Sequence, residues 1–245
     1  MPRRRLAVLF TGALLLSACG SADFGDNDKV TGSGEIVTEA REVAGFDQVV
    51  LVGEGNLAIV VGVSESLSVE TDDNLLPFIE TTTSGRVLTI ATADGVDIDP
   101  SDSVDYELTV TELARVELVG AGSVDLDQWT TDDAILRLAG AGGIRVGELT
   151  ATTLEVDISG AGAVTIAGSV ESQEIRLPGV GDYEAADLQS RATSVSVTGA
   201  ASATVWSSDT LDVTIQGTGS VEYYGSPLVD QQVTGLGSIR SLGER

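Results

Sequence analysis

The chain has 245 residues, of which 29 are glycine and only 5 are proline, and its formal charge is −25. It contains no histidine and a single cysteine, which excludes histidine-based nucleophile systems, intramolecular disulfides and thiolate metal sites. The excess of acidic residues argues against nucleic acid as a partner, because a phosphate backbone is bound by lysine and arginine. Aromatic residues make up only 4% of the chain, so the core must be built from aliphatic side chains.

Residues 1–18 have the composition of a secretory signal. Three arginines precede an apolar stretch at residues 6–18, which is too short to span a bilayer because a spanning helix needs about 20 residues. The tetrapeptide LSAC, which ends at Cys19, resembles the bacterial lipobox, whose cysteine is lipidated after cleavage. We therefore predict a lipoprotein that carries acyl chains such as palmitate on Cys19. The alternatives are an ordinary secretory signal or a cysteine buried in a core helix.

The remainder of the chain divides into three predicted segments. Residues 19–33 are the lipidated cysteine and a flexible polar tether, residues 34–112 a less regular N-terminal β subdomain, and residues 113–245 a repeat domain. The acidic chain repels anionic headgroups, so we expect membrane contact through the lipid alone. The predicted location is the bacterial cell envelope, on the extracytoplasmic side of an inner or outer membrane.

A pattern of alternating apolar residues around two glycines recurs through the C-terminal half at intervals of about 20 residues. The first glycines of the copies are Gly120, Gly140, Gly160, Gly179, Gly199, Gly217 and Gly235. Strict alternation predicts strands, and a propeller blade would need about 40 residues. We therefore predict an all-β protein, a right-handed parallel β-helix with coils of about 20 residues and a less regular N-terminal β subdomain. A divergent copy surrounds Gly53 and Gly55.

Both halves of each repeat are expected to contribute inward side chains. The second inward set comprises Trp129, Leu149, Val170, Leu188, Leu211 and Leu228. The paired glycines are predicted to mark a sharp bend, where φ is positive and backbones approach closely. A phosphate-binding loop is a poor alternative because no copy has the third glycine of G-x-G-x-x-G and no helical pattern follows.

Four short sequences carry a resemblance to a known family. They are REVAGFD at residues 41–47, LVGEG at residues 51–55, DDNLLP at residues 72–77, and the repeated L-x-G-x-G-x-V coils. With these features the chain resembles the bacterial family named putative auto-transporter adhesin, head GIN domain, over almost the whole mature sequence. The resemblance implies parallel β-helix coils on secreted or lipid-anchored proteins, and it implies no established catalytic residues.

The register of the repeat predicts an outward strip of small residues along the corners of the coils. It includes Ala141 and Ala161 one position after the first glycine, and Ser202 and Ser220 three positions after it. We interpret this strip as a candidate docking face for a protein, a glycan or a second protomer. The alternative is that tight corners simply select small residues.

Two aromatic residues are predicted to stack on the outside of the helix. Trp206 and Tyr224 occupy the same position in adjacent repeats, and a pair of aromatic rings can lie against sugar rings. The alternative is a pair packed under a loop or a C-terminal cap. Together with the four small residues of the strip, they form the candidate ligand surface.

Acidic residues cluster between the N-terminal strands. Asp94, Asp97, Asp99, Asp102 and Asp105 lie in one loop region, and oxygen-rich clusters suit Ca²⁺. The D-x-D-x-D-G calcium loop is not matched, so we expect a solvated acidic loop, with calcium binding left open, and we predict no metal and no cofactor.

The predicted function is binding or adhesion, without enzymatic activity, to envelope or extracellular polymers or proteins. One alternative is a polysaccharide-active enzyme that uses two carboxylates, and another is a structural or assembly module. Acidic polysaccharides would need basic residues to bind them, and we expect no row of bases at one position of the repeat.

Overall fold

The computed structural model describes residues 29–245; the predicted signal sequence and Cys19 lie outside these residues. The described part is nearly all strand, with one short 3₁₀ helix at Leu76–Phe78. Within it, no helix is both long enough and apolar enough to cross a membrane. The buried residues form one continuous hydrophobic core, and the all-β prediction is confirmed.

The strands are numbered in chain order. The N-terminal strands are β1 (Lys29–Thr31), β2 (Ile36–Arg41), β3 (Gln48–Gly53), β4 (Asn56–Val61), β5 (Ser66–Asp72), β6 (Ile79–Ser84), β7 (Val87–Thr92), β8 (Asp97–Asp99) and β9 (Asp105–Val110). The C-terminal strands are β10 (Arg115–Gly120), β11 (Ser123–Thr130), β12 (Asp133–Leu138), β13 (Gly143–Ile158), β14 (Ala163–Leu177), β15 (Asp182–Val197), β16 (Ser202–Ile215), β17 (Ser220–Tyr224), β18 (Leu228–Val233) and β19 (Ser238–Gly243).

Two parallel ladders run along the solenoid, one on each side of the glycine corner. The first ladder joins β7, β3, β10 and β12 to the second halves of β13, β14, β15 and β16, and ends at β18. The second joins β9, β4 and β11 to the first halves of the same long strands, and ends at β17 and β19. Every pairing in these ladders is parallel, as the period of the repeat predicts.

The core follows directly from the alternation of the sequence. Inward residues of successive coils lie opposite one another, so that Val116 pairs with Leu136 and Leu136 with Val156. All three are fully buried, and the outward residues between them are polar or half-exposed. Each coil thus buries its apolar side chains against the coil before it and the coil after it.

The N-terminal region contributes both coils and a cap. Strands β3 and β4 pair in register with β10 and β11, so the divergent copy around Gly53 and Gly55 belongs to the same solenoid. Strands β7 and β9 extend the stack. Antiparallel to them lie β6, which pairs with β7, and β5, which pairs with β9, and β2 pairs in turn with β5. These antiparallel strands cover edges that a parallel stack would otherwise expose.

The second inward set does not form one ladder. Trp129 pairs with Leu149, but Leu149 pairs with Gly168 instead of Val170. The register of the β13–β14 pair shifts between Val146 and Leu149, and the residues after this irregularity are displaced relative to their expected partners. Leu228, predicted to be inward, is 80% exposed on β18.

The corner glycines are required by the close approach of successive coils. A Cβ on Gly160 would overlap the carbonyl oxygen of Gly140 in the coil before. A positive φ, which the glycine pairs predict at these corners, occurs at Gly120 but not at Gly140 or Gly160. Glycine is therefore required at positions 140 and 160 mainly because no space is left for a Cβ, and not because of the backbone conformation.

A buried carboxylate holds the entering chain on the cap. Asp72 is fully buried and accepts hydrogen bonds from the backbone N–H of Gly34 at 2.6 Å and from the N–H and hydroxyl of Ser101 at 2.8 and 2.6 Å. The bond from the Ser101 hydroxyl is the main reason that the pKa of Asp72 is lowered. Asn74 Oδ1 accepts from the Ser33 N–H at 2.9 Å.

Residues at the end of the predicted tether are also paired. Lys29–Thr31 forms a parallel pair with Asp97–Asp99, and the Lys29 ammonium lies 3.0 Å from an oxygen of Asp99. The segment from Lys29 to Ser33 is therefore held against the cap by the Asp97–Asp99 strand and by Asn74.

Candidate ligand-binding surface

The outward side chains of β16 and β17 form a continuous surface near the C-terminal end of the solenoid. We call this surface the aromatic surface. It comprises the outward residues of β16 and β17, namely Ser202, Thr204, Trp206, Ser220, Glu222 and Tyr224, and two further residues, Asp187 and Arg245. The register places Ser202 opposite Ser220 and Trp206 opposite Tyr224. Buried residues alternate with them and fix their outward orientation.

Arg245 lies across the two aromatic rings. Its guanidinium carbon is 5.9 Å from the centroid of the Trp206 ring and 5.2 Å from that of the Tyr224 ring. One of its N–H groups donates to the carbonyl oxygen of Ala186 at 2.6 Å, and another forms an ion pair with Asp187. Both distances to the rings are within the range of cation–π attraction.

The structure brings the predicted aromatic pair together, with both rings half-buried. It also adds two partners that the sequence did not indicate. Asp187 and Arg245 are separated by 58 residues, and neither position is distinguished in the repeat. Only the relative placement of β15, β17 and the residues after β19 brings them into contact.

Acidic residues border the aromatic surface on its β15 side. Asp182 lies opposite Ser202, and Glu184 lies opposite Thr204. On the other side Glu222 is paired with Arg240, whose Nε is 3.0 Å from its carboxylate. The surface is therefore aromatic and hydroxylated at its centre and acidic along β15.

The predicted corner strip is exposed along the coils. Ala141 and Ala161 are both exposed, and their position is occupied in other coils by Val180, which is 58% exposed, and Leu236, which is 88% exposed. Larger side chains are thus accommodated at this position, so packing at the corner does not by itself require alanine. Ser202 and Ser220 of the strip also belong to the aromatic surface.

A row of alternating charge runs along the first ladder. Glu117 pairs with Arg137, Arg137 with Asp157, and Asp157 with Arg176. Arg137 and Arg176 share one position of the repeat two coils apart, with Asp157 between them, so the bases alternate with acids and do not form a row of their own. Arg176 also contacts Glu155 of a neighbouring row at 2.8 Å, so its charge is partly neutralised.

A shallow groove of about 480 Å³ lies beside this row. Small side chains such as Ser172 and Ala192 line it, together with Glu155, Glu174 and Asp212. Arg176 pairs with Glu155 at 2.8 Å and with Glu174 at 2.6 Å. Both glutamates are therefore paired with the same cation.

The carboxylates of Asp72 and Asp209 both have a lowered pKa. The pKa of Asp72 is lowered mainly by the Ser101 hydroxyl, and that of Asp209 mainly by the Ser208 hydroxyl and then by Arg191. A catalytic carboxylic acid needs the opposite shift.

The acids between Asp94 and Asp105 do not converge. Asp99 pairs with Lys29, and Asp105 accepts hydrogen bonds from Asn56 at 2.9 Å and Ser103 at 2.5 Å. Within residues 29–245, no group of three or more histidine, cysteine, aspartate or glutamate side chains is placed to hold a metal ion.

The fold and its exposed ladders define the protein first as a parallel β-solenoid with an N-terminal β cap. Residues 45–227 match the family described as putative auto-transporter adhesin, head GIN domain, and the chain belongs to that family. The resemblance seen in the sequence is confirmed. The family indicates an adhesin-like protein of the cell surface or envelope.

Solved structures show the same fold. A putative adhesin from Bacteroides fragilis has a TM-score of 0.84 at 23% identity, covering 87% of this chain and 100% of that one. A putative adhesin from Parabacteroides distasonis has a TM-score of 0.72 at 23% identity, covering 88% and 100%. A putative lipid binding protein from the same species has a TM-score of 0.71 at 20% identity, covering 87% and 99%. No functionally curated protein matches the sequence.

Proposed function

We propose that the protein is a lipid-anchored adhesin of the cell envelope that binds an extracellular polymer or protein through the aromatic surface. The observation that carries the proposal is the placement of Trp206 opposite Tyr224, in line with a row of outward hydroxyls at Ser202 and Ser220. Large, flat side chains with polar edges combine contact area with hydrogen bonding, which is why such residues dominate binding sites.

The contact area extends beyond the aromatic rings. Ser202 and Ser220 connect the aromatic surface to the corner strip, where Ala141 and Ala161 are exposed. A partner that lies along the strip would meet no bulky side chain between these two coils, and would contact the exposed apolar Val180 between Ala161 and the coil of Ser202. This continuity supports binding of an extended ligand, such as a polymer chain or a protein edge.

The position of the surface suits a protein held on a membrane. Lys29 lies at the N-terminal cap, and the proposed anchor at Cys19 precedes it by a short polar segment. The aromatic surface lies on β16 and β17, six and seven steps along the ladder from β9. At about 4.8 Å for each step, the surface would stand roughly 30 Å from the cap.

The alternative enzymatic function has less support. The carboxylates along the groove include Glu155 and Glu174, which are both paired with Arg176. The adhesin family and its adhesin-like neighbours also favour binding over catalysis.

The proposal is tested with the lipid-free chain, residues 20–245, immobilised and screened against glycans, cell-wall polymers and host-cell surfaces. We expect Trp206→Ala to reduce retention of the bound ligand at least tenfold. Val60→Ala is the matched control, because Val60 is an exposed apolar residue at the cap end, 57% accessible. If Trp206→Ala retains the ligand as well as the control does, the aromatic surface is not the binding surface.

A further inference from the structure

We infer that the aromatic pair, Asp187 and the Ala186 carbonyl form a binding site for an arginine side chain of a partner protein, and that the chain's own Arg245 fills it in this structure. The inference rests on the proposed function, because it names the partner chemistry of the same surface. It commits to a protein ligand that presents an arginine, in preference to a neutral sugar.

Each chemical feature of a guanidinium is matched at this site. The flat cation lies near the faces of Trp206 and Tyr224, at 5.9 and 5.2 Å from their centroids. Its N–H donors reach the Asp187 carboxylate and the Ala186 carbonyl, the latter at 2.6 Å. Aromatic faces, a carboxylate and a backbone acceptor together satisfy both the charge and the planar set of donors.

Other ligand groups match the site less well. A lysine ammonium is a compact point charge, so it does not present a flat face to two rings while donating to two separate acceptors. A sugar would stack on the rings but would bring no positive charge to Asp187. The occupant seen here, the guanidinium of Arg245, therefore indicates the class of ligand that the site selects.

The site is accessible for exchange of one arginine for another. The side chains of Asp187 and Arg245 are 66% and 34% exposed, respectively. Arg245 follows β19, whose one strand partner within residues 29–245 is β17, so one ladder holds this segment. Because Arg245 is attached to the same chain, it competes at a high effective concentration and must be displaced by an incoming arginine.

The surroundings favour a cationic partner. Asp182 and Glu184 lie along β15 beside the site, and the whole chain carries a formal charge of −25. Such a field attracts basic protein segments and repels acidic polymers. A second basic residue of the partner would meet Glu184, whereas a neutral ligand would gain nothing from it.

The test compares Arg245→Ala with the wild-type chain, both as residues 20–245. The probe is N-acetyl-argininamide, with N-acetyl-citrullinamide as its neutral counterpart of the same shape and N-acetyl-lysinamide as a second control. The readout is the indole N–H resonance of Trp206. Trp129, the other tryptophan, provides an internal reference, because its indole is buried and donates to the Leu113 carbonyl at 2.8 Å.

We expect Arg245→Ala to bind N-acetyl-argininamide at least tenfold more tightly than the wild type does, and to bind the citrulline and lysine compounds weakly. Adding Asp187→Asn should reduce the affinity for the arginine probe about tenfold. A melting curve checks that Arg245→Ala is folded. If it is not, Arg245→Gln is used instead as a variant in which the site is not filled by the Arg245 guanidinium.

Two results would overturn the inference: no saturable shift of Trp206 by the arginine probe in either folded variant, or equal binding of the citrulline compound. In that event Arg245 serves only to fasten the last coil. The proposed function is judged separately, by the effect of Trp206→Ala on ligand retention. If Trp206→Ala loses the ligand but the arginine probe does not bind, the proposal of an adhesive aromatic surface stands and only the proposal of an arginine site fails.

Discussion

Gly140 lies beside Gly120 at the corner of the preceding coil, so close that a Cβ on Gly140 would overlap the Gly120 carbonyl oxygen. That oxygen also accepts a hydrogen bond from the N–H of Ala141 at 2.8 Å. The contact is between backbone atoms of two coils, and the same relationship recurs between Gly160 and Gly140. The spacing of the coils at this corner therefore depends on the absence of a side chain.

Gly140→Ala is expected to destabilise the protein by about 3 kcal/mol, because the overlapping atom belongs to the backbone and cannot rotate away. Gly143→Ala is the matched control: the nearest atom to its Cβ would be the Ala163 carbonyl oxygen at 3.7 Å, and the next coil already carries alanine in register. We expect the control to change stability by less than about 0.5 kcal/mol. Urea unfolding followed by circular dichroism measures both, and equal stabilities would contradict the steric account.

Tyr183→Phe should destabilise the protein by about 1–3 kcal/mol, because it removes a hydrogen bond inside the solenoid. The Tyr183 hydroxyl donates to Gln173 Oε1 at 2.8 Å, and the Gln173 amide donates to the hydroxyls of Ser190 and Thr193. Burial raises the pKa of Tyr183, which keeps the phenol protonated as the donor. Thermal and urea unfolding measure the loss.

Tyr106→Phe is the comparison for this variant. Tyr106 lies in the same inward row through Leu57, and burial raises the pKa of its phenol as well. Its hydroxyl makes no hydrogen bond within residues 29–245, so we expect a smaller loss than for Tyr183→Phe. A larger loss at Tyr106 would show that ring packing, and not the polar network, dominates at these positions.

Asp72→Asn should lower the melting temperature in a pH-dependent way. The folded pKa of Asp72 is below its ordinary value of 3.8, so its ionised form stabilises the fold. This contribution is fully present above pH 3.8 and is lost as the pH falls through the lowered folded pKa. The difference in melting temperature between Asp72→Asn and the wild type should therefore be constant near neutral pH and shrink below pH 3.8.

Melting curves from pH 7 to pH 2.5 measure this effect. Asp73→Asn is the control, because Asp73 is the exposed neighbour and its carboxylate accepts, within residues 29–245, only from the Ser33 hydroxyl. A difference for Asp72→Asn that does not change across this range would argue against the carboxylate as the stabilising group.

Cys19→Ala should move the protein from the membrane fraction to a soluble, extracytoplasmic fraction, because the proposed acyl chains supply the membrane affinity. Each buried methylene contributes about 0.8 kcal/mol, so the loss of several chains is decisive. Cell fractionation and metabolic labelling with a palmitate analogue measure the outcome. Membrane association of Cys19→Ala at the level of the wild type would contradict lipid anchoring.

Local periodicity made the solenoid predictable. Alternation places Val116, Leu136 and Val156 inward whatever lies far away in the chain, and a glycine pair that keeps its phase indicates coils that repeat. Family resemblance pointed to the same fold. Positions such as Val170 and Leu228 were less predictable, because a shift in register or the end of a ladder changes which residues face inward.

The amino-acid sequence by itself determined the architecture, the row of outward residues that contains Trp206 and Tyr224, and the acidic character of the surface. Only the tertiary structure placed Arg245 over the two rings and Asp187 beside it. The physical reason is that these contacts join residues from different coils, whose separation in sequence varies with the bulges and coil lengths between them. Periodicity defines which face a side chain lies on, whereas the stacking of coils decides which side chains meet there.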